Sequence, residues 1–281
     1  MSDLFELAKQ KIITVAHRGV SGGNIPCNTI AAYEIALQQG ADMIEIDVEM
    51  SADGKLFIFH PGMESAHIWC AEKLSNLTAE EIGHLHFVNY DRTPTQFGVN
   101  TLDEVLERFG NRCLINVDKF WGHPKEIYEA ICRHGLCDRV LVKSTPTEKV
   151  LSVLEEVAPD LPFMPIVKEE HPLHRELMQR NIRYIGAEVL FRADNAEVAS
   201  PEFIEKMHRD GKLVWANAII YNYRSQLSAG HSDDRSLCDS PENGWGWLAR
   251  RGFDFIQTDW MLMMNEYLKK ENLLYRTFLY H

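Results

Sequence analysis

Residues 12–48 read IITVAHRGVSGGNIPCNTIAAYEIALQQGADMIEIDV. The run opens and closes on short apolar stretches rich in β-branched residues, IITVAH (12–17) and DMIEIDV (42–48). Between them lies a helical pattern, TIAAYEIALQQG (29–40). A strand, a helix and a second strand in this order form a βαβ unit with parallel strands.

The alternation continues along the chain. Further strands are predicted at CLINVD (113–118), RVLVKS (139–144), PFMPIV (162–167), RYIGAEV (183–189), KLVWANA (212–218) and FDFIQTD (253–259). Helices are predicted at 101–110, 124–135, 146–159, 171–181, 200–211 and 240–252. The punctuation agrees: Thr101, Ser200 and Ser240 suit N-caps, and Pro146 and Pro201 suit first turns. Gly40, Gly110, Gly135, Gly211 and Gly252 suit C-caps.

Eight strands alternating with helices predict an α/β protein built as a (β/α)8 TIM barrel. A doubly wound open sheet is the alternative, but no GxGxxG follows the first strand. The period breaks at about 49–100, after the second strand, where SADGKLFIFHPG reads as a turn at Asp53-Gly54 and a short strand. A His-rich helical segment, LSNLTAEEIGHLHF, and a Thr/Pro/Gln/Gly loop follow. This is a small insertion on the side where barrel loops carry function, within a single domain over 1–281. A second long loop is expected at 219–239.

The 281 residues are 45% hydrophobic and 25% charged, ordinary for a globular protein. A net charge of −12 argues against nucleic acid or an anionic membrane surface as the main partner. The six cysteines form no zinc pattern and read as reduced thiols. With no signal-peptide pattern and no window of about 20 apolar residues, a cytoplasmic protein without integral membrane association is expected. The oligomeric state is not set by the sequence.

In such a barrel the active site lies at the carboxyl ends of the strands. Those ends carry His17 and Arg18, Glu45 and Asp47, His60, Asp118 and Lys119, Lys143, Glu188, Asn217 and Asp259. Period-2 alternation sends Glu45 and Asp47 to one face and Ile44, Ile46 and Val48 to the other. Two buried carboxylates need compensation, from a divalent cation or from nearby Lys or Arg. Hard oxygen ligands favour Mg²⁺ or Ca²⁺, and Asp118 offers a third oxygen. A lone strand-end histidine is usually structural, but His17 and His60 bracket the carboxylate pair. Metal-bridged carboxylates, a guanidinium fork and two imidazoles form a phosphoryl-transfer set.

AHRG, NT and GADMIEIDVEMSADGKLFIFH, followed by NTLDEVLERFG, KLVWANA and GFDFIQTD, resemble the glycerophosphodiester phosphodiesterase family, whose pattern runs HRG, PENT, ExD, a DG turn and a second His. The resemblance spans essentially the whole chain. It implies a (β/α)8 barrel with an insertion after the second strand, and metal-dependent hydrolysis of a small phosphodiester to glycerol 3-phosphate and an alcohol. It implies His17 and His60 as acid and base, in an order it leaves open, Glu45 and Asp47 as metal ligands and Arg18 on the phosphate. The glycerol hydroxyl attacks first in this scheme, and water opens the cyclic phosphate.

Four departures from the pattern bear on substrate. Cys27 stands where PENT has glutamate, either as a tolerated substitution or as a nucleophile with a lowered pKa. His60 is followed by Pro-Gly-Met-Glu, so Glu64 is the acid available to orient it. The ExK of the third strand reads Asp118-Lys119-Phe120, and alternation points Lys119 away from the interior. Lys143 then either restores the phosphate's positive partner or is a solvated strand-end lysine. Trp215 is a sugar or glycerol platform or a core aromatic, with Asn217 two positions on; Glu188 ends the strand before it. The same machinery also suits a lysophospholipase D or sphingomyelinase D-like lipid enzyme, for which Ile68-Trp69 is the apolar hint. A non-catalytic barrel binding a phosphodiester or sugar phosphate is the reading from another class.

Overall fold

The structure is a computed structural model and describes residues 4–276. Eight parallel strands form the barrel: β1 (Ile13–Ala16), β2 (Met43–Met50), β3 (Leu114–Asp118), β4 (Val140–Ser144), β5 (Phe163–Lys168), β6 (Gly186–Leu190), β7 (Leu213–Asn217) and β8 (Phe255–Thr258). Neighbours in sequence are neighbours in the sheet, and β1 pairs with both β8 and β2, which closes it. Helices follow each strand, from Ile30–Gln38 after β1 to Met261–Lys270 after β8.

The interior changes character along the strands. At their amino ends Val15, Met43, Leu114, Leu141, Met164, Trp215 and Phe255 form an apolar plug, joined by Leu4 and Ala8 of the helix Leu4–Gln10. Two residues further along, the inward positions turn polar: His17, Glu45, Asn116, Lys143, Asn217 and Gln257. The opposite faces, including Ile44, Ile46 and Val48, join Leu102, Val105 and Leu106 in the layer between sheet and helices. The alternation read in IEID therefore holds.

Caps confirm most of the punctuation. Thr101 forms a capping box with Glu104, and Ser200 caps a helix that starts at Pro201. Gly252 is a left-handed C-cap at φ 99°. Gly110 stays helical at φ −55°, and packing explains it: a Cβ there would meet Leu136 Cδ1 at 2.4 Å. Pro146 lies before its helix, because Thr147 takes the N-cap and accepts from the Val150 N–H. Ser240 caps with no side-chain bond, and Gly244 separates a 3₁₀ turn, Pro241–Asn243, from the helix Trp245–Arg251. The helix expected at 171–181 is only His174–Leu177; Pro172 disfavours helical geometry at His171, which excludes the expected first residue.

The insertion has its own small core of Phe57, Phe59, Ile68, Leu74, Ile82, Phe87 and Val99. Its first strand, Leu56–Ile58, pairs antiparallel with the end of β2 after the Asp53-Gly54 turn. The expected Thr/Pro/Gln/Gly loop is instead a strand, Pro94–Gly98, paired with His86–Val88. Pro94 is tolerated because it is the strand's first residue. The loop expected at 219–239 contains a hairpin, Ile220–Asn222 with Ser225–Gln226, and a helix, Asp233–Cys238. Among the described residues no helix is long and apolar enough to cross a membrane.

Candidate active site

The strand register assembles the carboxylates. Asp47 of β2 lies opposite Asp118 of β3, and Glu45 lies opposite Asn116. Oxygens of Glu45, Asp47 and Asp118 all fall within 4.8 Å of one another. Glu45 and Asp47 are buried, and burial together with the Asp47 charge pushes the Glu45 carboxyl up to about 7. Burial also opposes ionisation of Asp118, but Lys119 and Lys143 outweigh it and hold this carboxyl below its ordinary range. Asp47 Oδ1 is buried without a hydrogen-bond partner. A carboxylate oxygen with no hydrogen-bond donor, beside two further carboxylates, suits a hard cation, so these residues fit Mg²⁺ or Ca²⁺.

The loop after β1 wraps this cluster. Arg18 sits at φ 56°, a left-handed conformation that turns its N–H onto Glu45 Oε2 at 2.9 Å. Its Nε lies 2.9 Å from Asp47 Oδ2. Gly19 is required by helix packing, since a Cβ there would meet the Ala32 backbone at 2.8 Å. Asn28, also left-handed and fully buried, donates to Asp47 Oδ2 and accepts from the Tyr33 hydroxyl. The NT of the sequence motif thus supplies a brace for Asp47. Cys27 lines the adjoining cavity, and burial pushes its thiol up to about 11 despite Arg18. A raised thiol pKa disfavours a resident thiolate, which a Cys27 nucleophile would need.

The two histidines are held differently. His17 Nδ1 lies 2.8 Å from Asp259 Oδ1. Asp259 is itself fixed through its N–H by buried Asp233, which also accepts from Thr258 and Trp245. Burial works against the His17 imidazolium, but the bond to Asp259 and the Glu45 charge outweigh it, so its pKa is raised. His60 Nδ1 lies 2.9 Å from the Pro61 carbonyl, which can only accept, so Nδ1 carries the proton and Nε2 keeps a lone pair. Burial lowers the His60 pKa. Glu64 does not orient this ring; it is buried and accepts the Leu74 N–H instead.

Lys119 reverses an expectation. Its backbone leaves the strand at φ 63°, so alternation no longer applies, and its ammonium reaches Asp118 at 2.5 Å and Asp47 at 3.6 Å. Lys143 is 4% exposed and neither solvated nor free: it pairs with Glu188 at 2.8 Å. Asn217 donates to Glu188 at 2.7 Å and accepts from Trp215 Nε1 at 3.1 Å. Trp215 is fully buried, stacks on Phe255 and lies 3.8 Å beneath the Lys143 ammonium. Of the two readings of Trp215, its burial agrees with the core aromatic, and its ring seats Lys143.

His17, Arg18, Glu45, His60, Asp118, Lys119, Lys143, Glu188 and Asn217 all line one cavity at the barrel mouth, of about 90 Å³. The members missed as site residues are Asn28, Lys119, Asp233 and Asp259. Lys119 and Asp259 had a signal in their place at strand ends and Asn28 in the NT motif, whereas Asp233 had none.

Residues 17–262 match the model of the glycerophosphoryl diester phosphodiesterase family. The chain belongs to this family. It is similar to the glycerophosphodiester phosphodiesterase of Bacillus subtilis, 29% identical over 58% of this chain and 61% of that protein. The counterpart from Caldanaerobacter subterraneus subsp. tengcongensis is 31% identical over 48% of this chain and 58% of its own length. The chain thus spans about three-fifths of the length of these curated relatives. Among solved structures, a family member from Parabacteroides distasonis superposes with a TM-score of 0.79 at 19% identity, covering 96% of this chain and 93% of its own. A phosphodiesterase from Oleispira antarctica in complex with the product sn-glycerol-3-phosphate gives 0.67 at 21% identity, over 92% and 97%. These two likenesses bear on the barrel fold that the family shares.

Proposed function

We propose that this chain hydrolyses glycerophosphodiesters to glycerol 3-phosphate and an alcohol, with a divalent cation, Mg²⁺ or Ca²⁺, held by Glu45, Asp47 and Asp118. The observation that carries this reading is the cluster of three carboxylates, with Asp47 Oδ1 lacking a hydrogen-bond donor, at a cavity that two differently held histidines also line. A bound cation would supply Lewis-acid stabilisation of charge on the phosphoryl oxygens. Arg18 and Lys119 flank the cluster and present the remaining positive charge to the phosphate.

His60 acts as base. Its Nε2 lone pair takes the proton of the glycerol hydroxyl, whose oxygen bonds to phosphorus and gives a cyclic phosphate. His17, kept protonated by Asp259, gives its proton to the departing alcohol oxygen. In the second step the roles exchange: His17 takes a proton from water, whose oxygen opens the ring, and His60 returns its proton to the glycerol oxygen. Membership of the family supports a glycerophosphodiester substrate, as does the glycerol 3-phosphate bound to the Oleispira antarctica protein, while the order of the two histidines rests on their hydrogen bonds.

One observation favours the lipid variant of the same chemistry. A cavity of about 510 Å³ beside His17 is walled by Trp260, Leu262 and Met263, each about half exposed. The deciding experiment is hydrolysis of glycerophosphocholine, glycerophosphoethanolamine, glycerophosphoglycerol and a lysophospholipid, in EDTA and after adding back Mg²⁺ or Ca²⁺. Cation-dependent release of glycerol 3-phosphate supports the reading, and cleavage of the lysophospholipid alone selects the lipid variant. No cleavage with either cation overturns both.

A further inference from the structure

A cavity of about 710 Å³ adjoins the candidate active site across the hairpin Ile220–Asn222/Ser225–Gln226. Tyr221 and Leu227 line both, so the hairpin is a shared wall and not a barrier between distant sites. Three exposed cations face this cavity: Lys168 at the end of β5, Arg192 just after β6, and Arg224 on the hairpin turn.

None of the three has an ion-pair partner among the described residues. Some other arginines are paired: Arg108 and Arg112 share Glu34, and Arg180 holds Glu148, Glu155 and Glu176. The Arg224 guanidinium lies 5.0 Å from the Tyr223 ring, which positions the group without neutralising it. One carboxylate, Glu169, lines the same cavity, and its Oε1 accepts the Arg192 backbone N–H at 3.1 Å. What sets the groove apart is that three cations and a single, engaged carboxylate line one cavity in a chain of net charge −12. Left alone, such a cluster repels itself, and an anion is its natural complement.

We propose that this groove is a second anion subsite of the same centre, receiving a phosphate or carboxylate carried on one alcohol arm of the diester. The inference rests on the phosphodiesterase reading and narrows its substrate class to glycerophosphodiesters with a second negative group beyond the scissile phosphate. Lys168, Arg192 and Arg224 are specificity residues here. They do not reach the reacting atoms, so their effect falls on binding and KM.

The test compares glycerophosphoglycerol with the same compound bearing a terminal phosphate. Binding is measured by calorimetry and cleavage by steady-state kinetics, in the native protein and in R192A/R224A. The terminal phosphate is expected to lower Kd and KM about tenfold in the native protein, as charge-assisted hydrogen bonds to exposed cations would. The double variant loses that advantage and keeps the native kcat for glycerophosphoglycerol. Equal affinities for the two compounds, or an advantage that survives in R192A/R224A, overturn the subsite. If neither compound is cleaved, the phosphodiesterase reading fails, and the calorimetric comparison still decides the groove: tighter, arginine-dependent binding of the phosphorylated compound supports it, and equal binding rejects it.

Discussion

Two sides of the same barrel mouth handle charge in opposite ways. On the β4, β6 and β7 side, Lys143, Glu188, Asn217 and Trp215 form a closed chain in which the ammonium meets a carboxylate and an aromatic face. On the β1–β3 side, three carboxylates converge, Asp47 Oδ1 has no hydrogen-bond donor and only the Lys119 ammonium at 3.6 Å, and Glu45 is driven up to about 7. Both sets are buried and polar. The first is internally balanced, whereas the second sets three carboxylates against the two cations Arg18 and Lys119 and leaves room for a further positive partner.

The comparison is broken most sharply at Asp47. Asp47→Asn keeps the shape but removes a ligand charge, and is expected to lower turnover by about 10³-fold, comparable to losing a central electrostatic group. Calorimetric titration with Mg²⁺ or Ca²⁺ checks the cause, and a variant that binds cation as the native protein does would sink the metal assignment. His17→Ala and His60→Ala each should cost at least ~100-fold in kcat. The native rate should fall at acid pH, as His60, with its lowered pKa, becomes protonated, and at alkaline pH, as His17, with its raised pKa, loses its proton. His60→Ala should flatten the acid limb and His17→Ala the alkaline one; the reverse pattern exchanges their roles.

On the balanced side, Lys143→Ala should read as stability more than chemistry. Removing one partner strands Glu188, at a cost of about 3–5 kcal/mol by denaturant unfolding, typical of broken buried pairs. A native-like unfolding midpoint with turnover reduced a hundredfold or more, the size of an acid–base loss, would place Lys143 on the phosphate instead. A smaller effect separates the two sides by pH. The folded-state pKa of Glu45 is raised above the ordinary 4.5, so its contribution to stability is full below that value and is lost as pH rises through about 7. In EDTA the Tm should fall over this interval, and saturating cation should flatten the decline. The smallest effect is at Cys27: with the thiol pushed up to about 11, Cys27→Ser should leave kcat within about twofold. A large loss would revive the nucleophile.

Much of this was legible in the sequence because it depends on local periodicity. IEID places two carboxylates on one face wherever a strand forms, and β2 keeps that alternation. Lys119 was misread for the same reason. Alternation ends with the strand, and nothing in Asp118-Lys119-Phe120 announces a left-handed turn. The brace from Asn28 to Asp47 and the support of His17 by Asp259 link residues 19 and 242 positions apart, distances at which local pattern carries no information. The strand Pro94–Gly98 escaped detection because its composition is that of a loop, and only its hairpin partner makes it a strand.

By itself, then, the sequence determined the alternation of strands and helices, the inward direction of Glu45 and Asp47, and the grouping of ionisable residues at strand ends. Each follows from fixed backbone geometry acting within a few residues. Tertiary structure decided which of those charges are balanced. Register set Asp118 opposite Asp47, barrel closure brought Glu188 to Lys143, and a single left-handed residue turned Lys119 into the mouth. Charge balance is a property of distances in space, and those exist only once the barrel has closed.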